Sequence, residues 1–76
     1  MEKKLQIVVI FHCKDLQTNG VITYSNKIYT DNDSKKKDTE NFIKSKIDFY
    51  KEHNIKVNSV ESFEVKEPIF TKIYFN

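Results

Sequence analysis

The sequence predicts an α+β fold, a small antiparallel sheet in the order ββαββ packed against one α-helix. Three observations carry that prediction. Residues 4–13, KLQIVVIFHC, are dominated by β-branched and aromatic side chains and read as a strand. Asn19-Gly20 follows, the strongest short-range signal for a β-hairpin. The stretch up to about His53 then gathers its apolar residues on one arc at helical period.

The first strand is apolar on both parities, with Leu5, Ile7, Val9 and Phe11 on one face and Val8 and Ile10 on the other. Such a strand belongs in the centre of a sheet covered on both sides. One helix can cover only one face of a small sheet. The second face is therefore expected to meet a partner or to lie partly bare.

A type I′ turn at Asn19-Gly20 requires positive φ at both residues. If those two form the loop, Thr18 pairs with Val21 and paired residue numbers sum to 39. His12 then faces Lys27, Ile10 faces Tyr29 and Phe11 faces Ile28. The second strand spans about 21–30. Ile22, Tyr24 and Ile28 fall on the face of Phe11 and Val9, while Val21, Lys27 and Tyr29 fall on the face of Ile10 and His12.

Residues 31–38, DNDSKKKD, form a polar loop running into the helix. Asp33 or Ser34 can cap its start, with Asp38 as a later alternative. Lysines in a first helical turn oppose the macrodipole, which favours the later start. Phe42, Ile43, Ile47, Phe49, Tyr50 and His53 occupy the apolar arc. Lys46 lies inside it, its stem expected over apolar neighbours and its ammonium reaching solvent. Asn54 suits a left-handed residue past the helix end, with Ile55 making the apolar contact after it.

Residues 56–65 alternate weakly, with Val57, Phe63 and Val65 on one parity and Val60 on the other. Pro68 breaks the ladder. Ile69, Thr71, Ile73 and Phe75 alternate beyond it and read as a fourth strand; a single bent strand across 57–75 is the alternative.

Seventy-six residues make one domain, 1–76, with a modest core. The single cysteine, Cys13, cannot pair internally and fits a reducing cytoplasm. The apolar run Leu5–Phe11 is too short for a signal sequence or a membrane span. Lys, Asn, Ile, Phe and Tyr supply 39 of the 76 residues, and Arg, Ala and Trp are absent. That bias follows AT-rich codons, so the composition points to a low-GC bacterium or to a phage or mobile element living in one. All 13 basic residues are lysines and the net charge is +2. Arg is the side chain best shaped for bidentate contact with guanine and phosphate, so its absence argues against base-specific DNA reading.

No constellation for chemistry emerges. His12 and Cys13 are adjacent on a strand and point to opposite faces, so they cannot share a tetrahedral metal site. Nothing places Cys13 beside His53 as a nucleophile and base. Gly20 is the only glycine, which rules out a Gly-rich phosphate loop. The expectation is a protein without catalytic residues, metal or cofactor.

What remains is binding. The two-sided first strand, the aromatic C-terminal segment IFTKIYF and the arc with Phe42 and Phe49 at its margin suit a protein interface, with a homodimer or with another protein such as a nucleoprotein complex. A small, AT-rich, chemistry-poor chain fits an inhibitor of a host macromolecule, for example a defence nuclease, of the anti-CRISPR kind. The expected contact residues are Tyr29, Lys35, Lys36, Lys37, Lys72 and Tyr74, which combine charge or aromatic area with exposure. The alternative is an RNA or single-stranded DNA module using lysines and sheet aromatics, because His12, Lys27 and Tyr29 share a face.

Overall fold

A computed structural model describes residues 5–65. Strand β1 (Leu5–Asp15) and strand β2 (Val21–Thr30) form a hairpin. Helix α1 (Lys35–Glu52) follows, and strand β3 (Ile55–Val65) ends the described chain. The sheet order is β2-β1-β3, with both outer strands antiparallel to β1. The α+β class is as expected, but the order within the described residues is ββαβ, not ββαββ. The expected fourth strand, 69–75, lies outside the described residues.

The central place of β1 follows from its two apolar parities. Ile7, Val9, Phe11 and Cys13 turn to the helix side and are buried, from 5% to 0% exposed. Tyr50 is the one buried residue of α1, and Phe42 and Ile43 pack on the same core beside Tyr24, Ile28, Ile55, Val57 and Val60. The Tyr50 ring stacks on Tyr24 at 4.7 Å and meets Phe11 edge-on at 5.3 Å. Ile47 and Phe49, expected on the apolar arc, sit at its margin, 36% and 49% exposed. Lys46 is half-buried and carries its ammonium 5.2–5.9 Å from the ring centres of Phe42, Phe49 and Tyr50, a cation over aromatic faces.

The hairpin departs from the expected turn. Only Asn19 has positive φ, at 64°, and Gly20 does not. The pairing runs from Leu5↔Thr30 to Lys14↔Val21, so partner numbers sum to 35. The cause is Asp15. Its Oδ1 accepts the backbone N–H of Gln17 at 2.8 Å and of Thr18 at 3.4 Å, and its carbonyl accepts the Asn19 N–H at 2.7 Å. A side chain that satisfies the loop backbone locally favours this longer loop over the two-residue Asn-Gly turn. The Leu16 N–H donates to the Asn54 carbonyl at 2.9 Å, tying this loop to the start of β3. The register differs by an even number, so every side chain keeps its expected face.

The helix takes the earlier of its two starts. Ser34 occupies the cap position without a capping side-chain bond. Its N–H instead donates to Asp31 Oδ1 at 2.9 Å. The lysines stay in the first turn because local acids offset them. Lys35 Nζ reaches Glu64 Oε1 at 3.0 Å, and Asp38 lies in the same turn. The hydroxyl of fully buried Thr30 donates to Asp38 Oδ2 at 2.6 Å, fixing the end of β2 to the helix. At the other end Asn54 is left-handed, φ 63°, as the sequence indicates.

Strand β3 contains a bulge. Its pairing with β1 passes from His12↔Ser59 to Cys13↔Val57 and leaves Asn58 without a partner position. The bulge explains the weak alternation. Before it Ile55 and Val57 face the helix; after it Val60 does, and Phe63 and Val65 turn to the opposite side.

Candidate functional site

The helix covers one side of the sheet, and no described element covers the other. Register assigns five residues per strand to this open face, in rows about 7 Å apart. Tyr29, Gln6 and Val65 make the first row. Lys27, Val8 and Phe63 make the second, and Ser25, Ile10 and Glu61 the third. Thr23, His12 and Ser59 follow, and Val21, Lys14 and Lys56 close the face.

Its chemistry is graded. Val8 and Ile10 form an apolar centre on β1. Tyr29 and Phe63 flank it from the two edge strands, 59% and 48% exposed. They lie in neighbouring rows on opposite sides of the central strand, with Lys27 in the row of Phe63. Glu61 is the single acid of the face, and His12 Nε2 stands 2.8 Å from its carboxylate. Lys14 and Lys56 are directly paired across β1 and β3. Like charges placed opposite one another in a sheet destabilise it, and neither lysine has an acidic partner among the described residues.

Charge is sorted between the two sides of the sheet. The described residues hold nine lysines and nine acids, in balance. The open face takes three lysines and one acid, leaving six lysines and eight acids elsewhere. A near-neutral chain thus presents one basic, aromatic face.

The expected contact residues do not form one cluster. Tyr29 is on the open face. Lys35, Lys36 and Lys37 lie in the first turn of α1, on the opposite side of the sheet. Lys35 is held by Glu64, while Lys36 and Lys37 are exposed. Lys72 and Tyr74 lie outside the described residues. Three residues join Tyr29, Lys27 and His12 that were not singled out from the sequence: Lys14, Lys56 and Phe63. The signal for Lys14 was present, since it shares the parity of His12. Lys56 and Phe63 were hidden by the bulge between them.

Cys13 is 1% exposed, and burial pushes its thiol pKa up, which disfavours the reactive thiolate. His53 is exposed at the helix end with its ring on Phe49 at 4.5 Å. Burial also raises the Tyr50 phenol, with the neighbouring Asn26 amide acting in the opposite direction. Asn26 Nδ2 itself falls outside hydrogen-bonding geometry. An open groove of about 300 Å³ runs between the end of α1 and the start of β3, lined by Leu16, Ile47, Ile55 and Val57 with Lys51 and Lys56 beside them. Among the described residues no three His, Cys, Asp or Glu side chains gather as a metal site, and no helix is long and apolar enough to cross a membrane.

Fold and face together define an α+β protein with one side of its sheet packed by a helix and the other open among the described residues. No protein family, curated protein or solved structure matches the chain.

Proposed function

We propose that this is a non-enzymatic binding protein that lays the open face of its sheet against another macromolecule. In a phage or mobile element of an AT-rich bacterium, that binding would inhibit a host factor such as a defence nuclease. The observation that carries the reading is the pairing of an apolar centre, Val8 and Ile10, with exposed Tyr29 and Phe63 around it. Exposed aromatics around an apolar patch are the composition of interface cores. A protein this small gains nothing in stability by leaving them in water.

The test places a charge in the centre of the face. Ile10→Glu keeps the helix-side core intact, so the variant should retain the wild-type circular dichroism spectrum. It should lose capture of the host macromolecule that the tagged wild type recovers, while Lys36→Glu on the helix side retains it. Equal recovery by Ile10→Glu and wild type would remove the reading.

A further inference from the structure

We propose that the occupant of the open face is single-stranded nucleic acid, its bases stacking on Tyr29 and Phe63 and its phosphates following Lys27, Lys14 and Lys56. This rests on the binding role of the open face and names the partner of that face. Three observations converge on it. First, the two exposed aromatics stand on different strands of one face, in adjacent rows. Aromatic side chains on a flat sheet take unstacked bases, because every base has a π-face to offer. Secondly, the charge is segregated. Three lysines share the face with one acid, whereas the described residues as a whole balance. Thirdly, Lys14 and Lys56 oppose each other with no acid between them among the described residues. That arrangement costs stability in the free protein, and a bound phosphate would relieve it.

Geometry also favours a single strand over a duplex. The rows from Tyr29 to Lys14 span about 27 Å along the strands. The described helix packs against the other side of the sheet, so it cannot enter a duplex groove from this face. A single strand can lie along such a surface and present its bases to it. Lysines supply backbone attraction without reading base edges, so the binding is weakly selective in sequence.

The sharp competitor is a protein surface docked on the same face. An acidic protein would use Lys14, Lys27 and Lys56 equally well and would also cover the two aromatics, so an oligonucleotide and the ring-preserving variants Tyr29→Phe and Phe63→Tyr are what separate the two occupants. A second copy of this chain is disfavoured by charge, since it would bring two basic faces together.

The experiment is fluorescence anisotropy with a labelled twelve-residue oligothymidylate and the full chain. Binding is expected at 50 mM salt. With three lysines neutralising phosphates, affinity should fall about 20-fold between 50 and 200 mM salt. Tyr29→Ala and Phe63→Ala should each weaken binding roughly 5- to 100-fold, while Tyr29→Phe and Phe63→Tyr preserve it. Lys14→Glu with Lys56→Glu should abolish it, and Lys36→Glu with Lys37→Glu, on the helix side, should leave it nearly unchanged. Circular dichroism melts exclude misfolding as the cause. The proposal is overturned by absence of binding at 20 mM salt, by equal losses from the helix-side pair, or by equal affinity for a duplex of the same length. If the oligonucleotide fails to bind but Ile10→Glu still abolishes capture of a host protein, the nucleic-acid partner is refuted and the binding role of the face survives. If both fail, both readings fall.

Discussion

Tyr50 holds the helix to the sheet, and its removal should nearly unfold the protein. It is the one buried residue of α1 and 4% exposed. Its ring touches Tyr24, Phe11 and Phe49 at centroid distances of 4.7, 5.3 and 5.8 Å. Truncating a buried aromatic to alanine costs about 3–5 kcal/mol from lost transfer energy and the cavity left behind. Aromatic pairs add about 0.5–1.5 kcal/mol each beyond buried area, and three such pairs place Tyr50→Ala at the upper end. A domain of this length has only about 4–11 kcal/mol of stability in all. Phe49 supplies the comparison. It is 49% exposed and touches the Tyr50 ring only edge-on, so Phe49→Ala should cost about 1 kcal/mol. Tyr50→Phe keeps every ring contact and should stay within about 1 kcal/mol of wild type. Urea titrations followed by circular dichroism measure all three. A Tyr50→Ala protein within 1 kcal/mol of wild type, or a Phe49→Ala protein equally destabilised, would refute the packing argument.

Three further outcomes are expected. Gly20 lacks positive φ, and a Cβ built there meets only Thr18 Oγ1 at 3.2 Å, so Gly20→Ala should change stability by less than about 1 kcal/mol; a larger loss in urea melts would restore the type I′ turn. Asp38→Ala should cost about 1–3 kcal/mol in the same assay, because it removes the acceptor of the buried Thr30 hydroxyl. Burial raises the Cys13 thiol from 9.0 and the Tyr50 phenol from 10.0; the unfolded chain releases those protons first, so stability is intact below about pH 8 and falls as pH rises through the unfolded values, by at most about 1.4 kcal/mol per pH unit per group. Cys13→Ala should flatten the earlier part of that decline in melts between pH 8 and 10, and an unchanged profile would show that the thiol contributes nothing.

What the sequence made legible was whatever depends on period. Two apolar parities placed β1 at the centre, and alternation sorted the residues of β1 and β2 correctly between two faces. The helical arc named Tyr50, Phe42 and Ile43, and Asn54 marked the helix end. Register and strand phase were not legible, because single side chains decide them. The Asp15 carboxylate bonds the loop backbone and moves the pairing four residues along β1, with Lys14 and not Thr18 opposite Val21. Asn58 adds one residue to β3 and exchanges the faces of everything after it. The sequence leaves the helix start open by a turn, and the structure takes the earlier one at Ser34, where Glu64, remote in sequence, pairs with Lys35. The candidate site was half legible for the same reason. Tyr29, Lys27 and His12 precede the bulge in logic, while Phe63 and Lys56 straddle it.

The extra residue at Asn58 divides β3 into two stretches that answer to different demands. Ile55 and Val57 before it, and Val60 just after it, are constrained by the hydrophobic interior, so their freedom to vary is small. Phe63 and Val65 beyond it face outward and can change without disturbing that interior. One strand therefore keeps the fold constant at one end while remaining open to new partners at the other. Loss of Asn58 would leave Val57 and Ser59 opposite Cys13 and His12 in a regular ladder, with Val60 still inward and Phe63 still outward, whereas loss of Ser62 would turn Phe63 inward, so a one-codon deletion should be tolerated at the bulge and damaging four residues beyond it.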